Sequence, residues 1–308
     1  MNAKHDLYVI ISFDMESDIG SWTDRHTGVA QGTPLILDVL AHHGVTSTFL
    51  FTGDAALACP EALARIKAAG HEIGCHTLHH ESVGPPIVDV PDVRAVLPEE
   101  VPNRLEKATR LIEELAGVRP VSFRAPRGWA SSEMLVTLDR LGYVVDSSYM
   151  AYFLGEHLLP YHPSDRDWKK RGHLSILEVP LFGDLTIEGG DRYKRDRDQW
   201  PALRTRDADW LADAVLRNGE RLWSQGKPML ACLYLHPWEF VEMPRAVDTA
   251  EAHIEFQDYL WVNTGPVALA QLRRFVERMR RAGAEFHTLR SFYDLWRSRH
   301  DSLNQSPH

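Results

Sequence analysis

LYVIISFDMESD, from Leu7 to Asp18, opens on an apolar, β-branched run and closes on three acids. An apolar run without polar alternation fits a strand buried on both faces, as in a parallel sheet. The acids Asp14, Glu16 and Asp18 then stand where that strand emerges from the core. Alternate residues of an extended chain project to one side. Carboxylates so placed repel one another unless a cation or a proton intervenes. The stretch is therefore either a solvated loop or one wall of a site.

Working outward, TPLILDVLAHHG (33–44) has a helical pattern, with Thr33 expected as N-cap, Pro34 at the first helical position and Gly44 as the stop. VTSTFLFTG (45–53), HEIGCH (71–76), VSFRAP (121–126) and YVVDSS (143–148) read as further strands. The helical stretches CPEALARIKAAG (59–70), VPNRLEKATRLIEELAG (101–117) and SSEMLVTLDRLG (131–142) alternate with them. Such alternation specifies βαβ units with right-handed crossovers. Residues 150–175 and 183–205 interrupt the rhythm as polar loops around one strand, SILEVPL (175–181), and are placed to cover a site. The rhythm resumes with PMLACLYLHP (228–237) and AEFHTL (284–289), each beside helical sequence. About seven strands in this order predict an α/β fold with polar residues gathered at the C-terminal strand ends, as in parallel barrels. One catalytic domain is expected over residues 1–299, with a frayed polar tail at 300–308.

Composition narrows the function. The 308 residues carry a net charge of −9, which argues against nucleic acid as a partner. The basic cluster Arg273, Arg274, Arg278, Arg280 and Arg281 is expected to be a solvated helix face. No G-x-G-x-x-G follows the first strand and no P-loop occurs, so a nucleotide cofactor has no support. The run Leu7–Ile11 is too short for a secretory or transmembrane segment, and the three separated cysteines suit a reducing compartment. The expected address is the cytoplasm.

Four places can carry chemistry. His76 lies four residues before His80 and three before His79, so either pair could share an ion if a helical turn follows the strand. They could equally be ordinary imidazoles in a chain with 16 histidines. Cys75 adjoins the cluster but is poorly placed to share an ion with His76. Arg124 ends a strand in a Pro- and Gly-bearing turn, and His236 follows an apolar strand and precedes Pro237. Trp129 and Trp238 flank these places and could stack on a sugar ring or fill the core.

Taken in order, SFDMESD, GHEIGCHTLHH, FRAPRGW, LGYVVDSSY and LYLHPWEF resemble the polysaccharide deacetylase superfamily, the NodB-homology or carbohydrate esterase family 4 enzymes. NTGP and EFHTLRSFYDLW extend the likeness to about residue 297. The resemblance implies a distorted (β/α)7-type barrel, a divalent metal, most often Zn2+, and hydrolysis of an acetamido group to an amine and acetate. By position, His76 and His80 match two metal ligands, Asp14 the catalytic base, Arg124 the arginine that orients it and His236 the general acid.

One departure stands out. The family's first motif has two adjacent aspartates, but Met15 follows Asp14 here. Glu16 is assigned as third ligand because it projects to the same side as Asp14. The rival assignments put Asp14 on the metal with Glu16 or Asp18 as base, or dispense with the metal. Asp146 or Glu178 is expected to keep His236 protonated. The expected substrate is an acylated amino sugar, as a soluble or lipid-linked surface-polysaccharide precursor. The alternatives are an allantoinase- or imidase-like hydrolase of a small ring amide and a non-catalytic carbohydrate-binding relative.

Overall fold

β1, Leu7–Met15, is buried along its whole length. Its β-branched and aromatic side chains fill both faces, which is why it can sit at the centre of the sheet. The structure, a computed structural model, describes residues 5–88, 93–190, 192–248 and 252–299; the tail expected at 300–308 lies outside them.

The remaining strands are β2 (Thr48–Phe51), β3 (Glu72–Cys75), β4 (Ser122–Phe123), β5 (Val145–Asp146), β6 (Leu177–Glu178), β7 (Met229–Leu235), β8 (Ala246–Asp248), β9 (His253–Glu255) and β10 (Glu285–His287). One edge of β1 pairs with β7, from Leu7↔Met229 to Phe13↔Leu235. Its other edge pairs with β2 near the C-terminal end and with β10 lower down. From β2 the sheet runs through β3, β4 and β5 to β6, every pair parallel. Beyond β6 the chain meets β7 through a Leu181–Cys232 bridge, with the Phe182 N–H donating to the Cys232 carbonyl at 2.8 Å. The ring of seven strands thus closes on a bridge rather than a full ladder, which makes it a distorted (β/α)7 barrel. β8 and β9 form a separate antiparallel hairpin.

Helices cover the outside. Val101–Ala116 buries Val101, Leu105, Ala108, Ile112 and Ala116, the spacing of one helical face, and Gly117 ends it at φ +64°. Ser131 and Asp207 cap the helices Ser132–Arg140 and Ala208–Trp223 with side-chain oxygens. Thr33 does not act as the expected N-cap. A helical turn, Gly28–Gly32, already precedes it, so its hydroxyl donates back to the Val29 carbonyl at 2.6 Å. The arginines of Pro266–Arg281 form the expected solvated face: Arg274 and Arg278 pair with Asp209, and Arg278 also pairs with Asp213.

The turn at 28–32 also fixes the site from outside. A Cβ on Gly28 would lie 2.2 Å from Trp238 Cα, and one on Gly32 would lie 2.3 Å from the Pro237 carbonyl oxygen. Only glycine lets this turn lie flat against the segment that follows β7.

Candidate active site

The C-terminal ends of β1, β3, β4 and β7 deliver Asp14, His76, Arg124 and His236 to one end of the barrel. All are buried, as is Glu16. β1 ends at Met15, whose side chain is fully buried. Alternation therefore turns Asp14 and Glu16 to the site while Met15 packs into the core.

Glu16 Oε2 lies 2.5 Å from His80 Nε2 and 3.5 Å from His76 Nε2. Each of the three offers a donor atom within 4.8 Å of the others. Burial alone would push the Glu16 carboxyl up, but the charges and hydrogen bonds of His80, His76 and His236 hold it well below the ordinary range. The His76 ring is oriented from behind, its Nδ1 lying 2.8 Å from the Arg124 carbonyl oxygen. Residues 76–80 are not the helical turn envisaged from their spacing. Thr77 and His80 have φ of 69° and 57°, so an irregular, strained turn brings the two rings to Glu16. His79 instead points to Asp54, with its Nδ1 2.8 Å from Oδ1. Cys75 is buried, which pushes its thiol up to about 12, and it stands outside the donor triad.

The donor set fits a divalent ion. Two imidazole nitrogens and one carboxylate oxygen are the ligands of an open three-residue zinc site, and the ring behind one of them is already fixed by a backbone carbonyl.

Asp14 is held by Arg124, whose Nη1 donates to Oδ1 at 2.6 Å. The guanidinium is itself anchored, with Nε on the Ser147 carbonyl at 2.8 Å and Nη2 on Ser12 Oγ at 2.8 Å. Asp18 does not join this group. Its Oδ1 accepts from the Gly28 N–H at 2.8 Å and its Oδ2 from the Thr27 N–H at 3.0 Å. It pins the 28–32 turn and is unavailable as a base, which removes one rival assignment.

His236 Nε2 lies 3.8 Å from Glu16 Oε1. The carboxylate that orients His236 is neither Asp146 nor Glu178. It is Glu239, whose Oε1 lies 3.0 Å from Nδ1 and also accepts the His236 N–H at 2.8 Å. Pro237 starts a short 3-10 turn, which returns the side chain three residues on to its own N-cap. Arg204 Nε donates to the other Glu239 oxygen at 2.5 Å. Burial pushes the Glu239 carboxyl up, and Arg204 and His236 overcome it. Burial likewise pulls His236 down, but Glu239 and the charge of Glu16 raise it above the usual imidazole value. An acid three residues after the histidine, in H-P-W-E, is the sequence signal that could have exposed Glu239.

Asp146 and Glu178 end β5 and β6 and face each other, fully buried. Glu178 Oε1 accepts the Ser148 and Tyr149 N–H groups at 3.0 and 2.8 Å, and Asp146 Oδ1 accepts the Ser148 hydroxyl at 2.8 Å. Burial, and for Glu178 the charge of Asp146 as well, raises both carboxyls, and the two titrate as a pair. A raised folded-state pKa gives stability that is present at low pH and lost as pH rises through it. Glu178→Gln replaces the carboxyl that resists ionisation with an amide that stays neutral at every pH. Its Tm is expected to exceed wild type by a few degrees near pH 8 and to lose that advantage below about pH 5. Thermal unfolding followed across that range checks the sign.

Trp129 and Trp238, expected as sugar platforms, are 2% and 0% exposed and present no ring face to solvent. Their bulk packs the walls instead: Trp238 stacks on His236 with centroids 5.1 Å apart. Trp200, from the 183–205 segment, stands edge-on to His236 at 5.1 Å. Beside His80 opens a cleft of about 650 Å³ lined by Ser17, Asp24, His26, Asp54 and His79 among others.

Residues 2–145 match the family model described as polysaccharide deacetylase. The chain is 30% identical over 152 residues to a chitooligosaccharide deacetylase of Sinorhizobium fredii, covering 48% of this chain and 59% of that protein. It is 32% identical over 112 residues to the peptidoglycan-N-acetylmuramic acid deacetylase PdaA of Bacillus subtilis, covering 36% and 39%. The chain thus spans less than two thirds of these relatives. Among solved structures, the PuuE allantoinase superposes with a TM-score of 0.63 at 17% identity, covering 97% of this chain and 93% of that one. A carbohydrate esterase family 4 pseudoenzyme from Bacillus anthracis superposes at 0.53 and 14%, covering 95% and 67%. At those identities the structures speak for the fold alone. Residues 2–145 thus match the polysaccharide deacetylase family model, and the barrel shares the fold of these solved structures.

Proposed function

We propose that the protein is a metal-dependent hydrolase that removes an N-acetyl or related acyl group from an amino sugar. The observation that carries this reading is the convergence of three units at one barrel end: the Glu16–His76–His80 triad, the Asp14–Arg124 pair and the His236–Glu239–Arg204 relay. The names of two matched relatives, a chitooligosaccharide deacetylase and a peptidoglycan-N-acetylmuramic acid deacetylase, favour this substrate class.

A divalent ion, with zinc the first choice for these donors, would be held by Glu16, His76 and His80 and would supply Lewis-acid polarisation of the amide and acidification of water. Asp14, steadied by Arg124, takes the proton of the attacking water. His236 carries a proton on Nε2 to the departing nitrogen, because an amine leaves poorly unless protonated. Glu239 and Arg204 hold the imidazole in the orientation this requires. Base and acid are thus kept in opposite protonation states by different partners, a guanidinium for one and a carboxylate for the other.

We place the action in the cytoplasm, on a soluble or lipid-linked precursor of a surface polysaccharide. The test is a panel of N-acetylglucosamine oligomers, nucleotide-linked N-acetyl sugars, allantoin and cyclic imides, assayed with zinc-loaded protein for acetate and amine. Acetate release from the sugars alone supports the proposal. Ring opening of allantoin or an imide without acetate release replaces it with the cyclic-amide reading.

A further inference from the structure

We infer that Arg127 is a recognition residue for an anionic oxygen group, carboxylate or phosphate, carried by the substrate next to the scissile amide. This rests on the proposed hydrolase reading and narrows its substrate class.

Arg127 follows the Arg124 turn and is half-buried against the triad. Its Nη1 reaches only the His80 carbonyl and Ser82 Oγ, both at a long 3.4 Å. The guanidinium also lies over the Trp129 ring, 5.7 Å from its centroid. Among the described residues no carboxylate lies within ion-pair distance of it. The contrast with its neighbours is marked: Arg124 is paired with Asp14 and Arg204 with Glu239. Glu16 is near enough for its charge to act on Arg127, but its oxygens face His76, His80 and His236.

A guanidinium has five N–H donors and keeps its charge at any working pH. None of its nitrogens is among the buried, unpartnered atoms of the described residues, so the donors left unbonded face solvent and are free to take an anion. A planar, two-oxygen anion matches its fork. A cation on the triad would add to the positive charge here, not offset it. The backbone of Arg127 is also held at φ 58°, a conformation that disfavours most side chains and that the turn nevertheless imposes. The cleft on the far side of His80 carries Asp24 and Asp54, so the anion is expected at Arg127 and sugar hydroxyls in that cleft.

The experiment compares three ligands that share an acetamido sugar: N-acetylglucosamine, N-acetylmuramic acid with its lactyl carboxylate on C3, and N-acetylglucosamine 1-phosphate, so that both anions adjoin the acetamido carbon. Affinities are measured by calorimetry or ligand-observed NMR on the full chain, for wild type, R127M and R127Q. R127Q retains amide donors for the His80 and Ser82 contacts, so it guards against simple misfolding. Wild type is expected to favour at least one anionic ligand by about tenfold, the scale of a charge-assisted hydrogen bond. Both variants should bind the anionic and neutral ligands alike. Which of the two anions gains identifies carboxylate or phosphate. Equal binding of all three by wild type, no binding of any, or a preference that survives in both variants overturns the inference. Acetate release is followed in parallel: an Arg127-dependent preference without hydrolysis of any ligand leaves this inference standing and defeats the deacetylase reading instead.

Discussion

Alanine in place of His76 is expected to remove metal binding and hydrolysis together. His76 supplies one of three donors, and its ring is pre-set by the Arg124 carbonyl at 2.8 Å. Two remaining donors, Glu16 and His80, make a poor site for zinc, which takes at least three protein ligands in open sites. The loss in turnover should exceed the roughly 10²–10⁴ that a single acid–base group provides, because the polarising charge goes with the ligand. Elemental analysis of the purified variant, beside acetate release, reads both effects. A variant that keeps one zinc per chain and wild-type turnover would move the metal centre elsewhere.

Alanine at His236 separates the two roles. The variant is expected to keep its metal and to lose about 10²–10⁴ in kcat on an acetamido sugar. His236 Nε2 lies 3.8 Å from Glu16 Oε1, so it borders the triad without completing it. An aryl acetate, whose leaving group departs without a proton, should lose far less. Equal losses on both substrates would assign His236 to something other than proton donation. Arg124 is a poorer probe, since removing it strands a buried Asp14 and costs about 3–5 kcal/mol of stability whatever its catalytic role.

Much of the barrel was legible because its signals are local. Apolar runs such as Leu7–Ile11 and Met229–Leu233 are buried on both faces, which the lack of polar alternation announces. The helix Val101–Ala116 declares itself by the spacing of Val101, Leu105, Ala108 and Ile112. The DxE spacing placed Asp14 and Glu16 on one side, since period two is a property of the strand. The same rule misplaced Asp18, because the strand ends at Met15 and the chain then turns. The turn at 76–80 is not helical, and residue spacing alone cannot disclose the positive φ at Thr77 and His80 that bring the two rings together.

What this sequence determined by itself is a parallel α/β barrel and a set of polar residues at its strand ends, for burial and period are written into each segment. What only the tertiary structure decided is which of those residues meet. Arg124 at the end of β4 reaches Asp14 on β1, Arg204 reaches Glu239, Trp238 lies under the imidazole rather than open to a sugar, and Arg127 is left without a carboxylate partner among the described residues. The reason is that partnership depends on how separate loops converge over a closed ring, and convergence at a few ångströms leaves no mark on the spacing within any one of them.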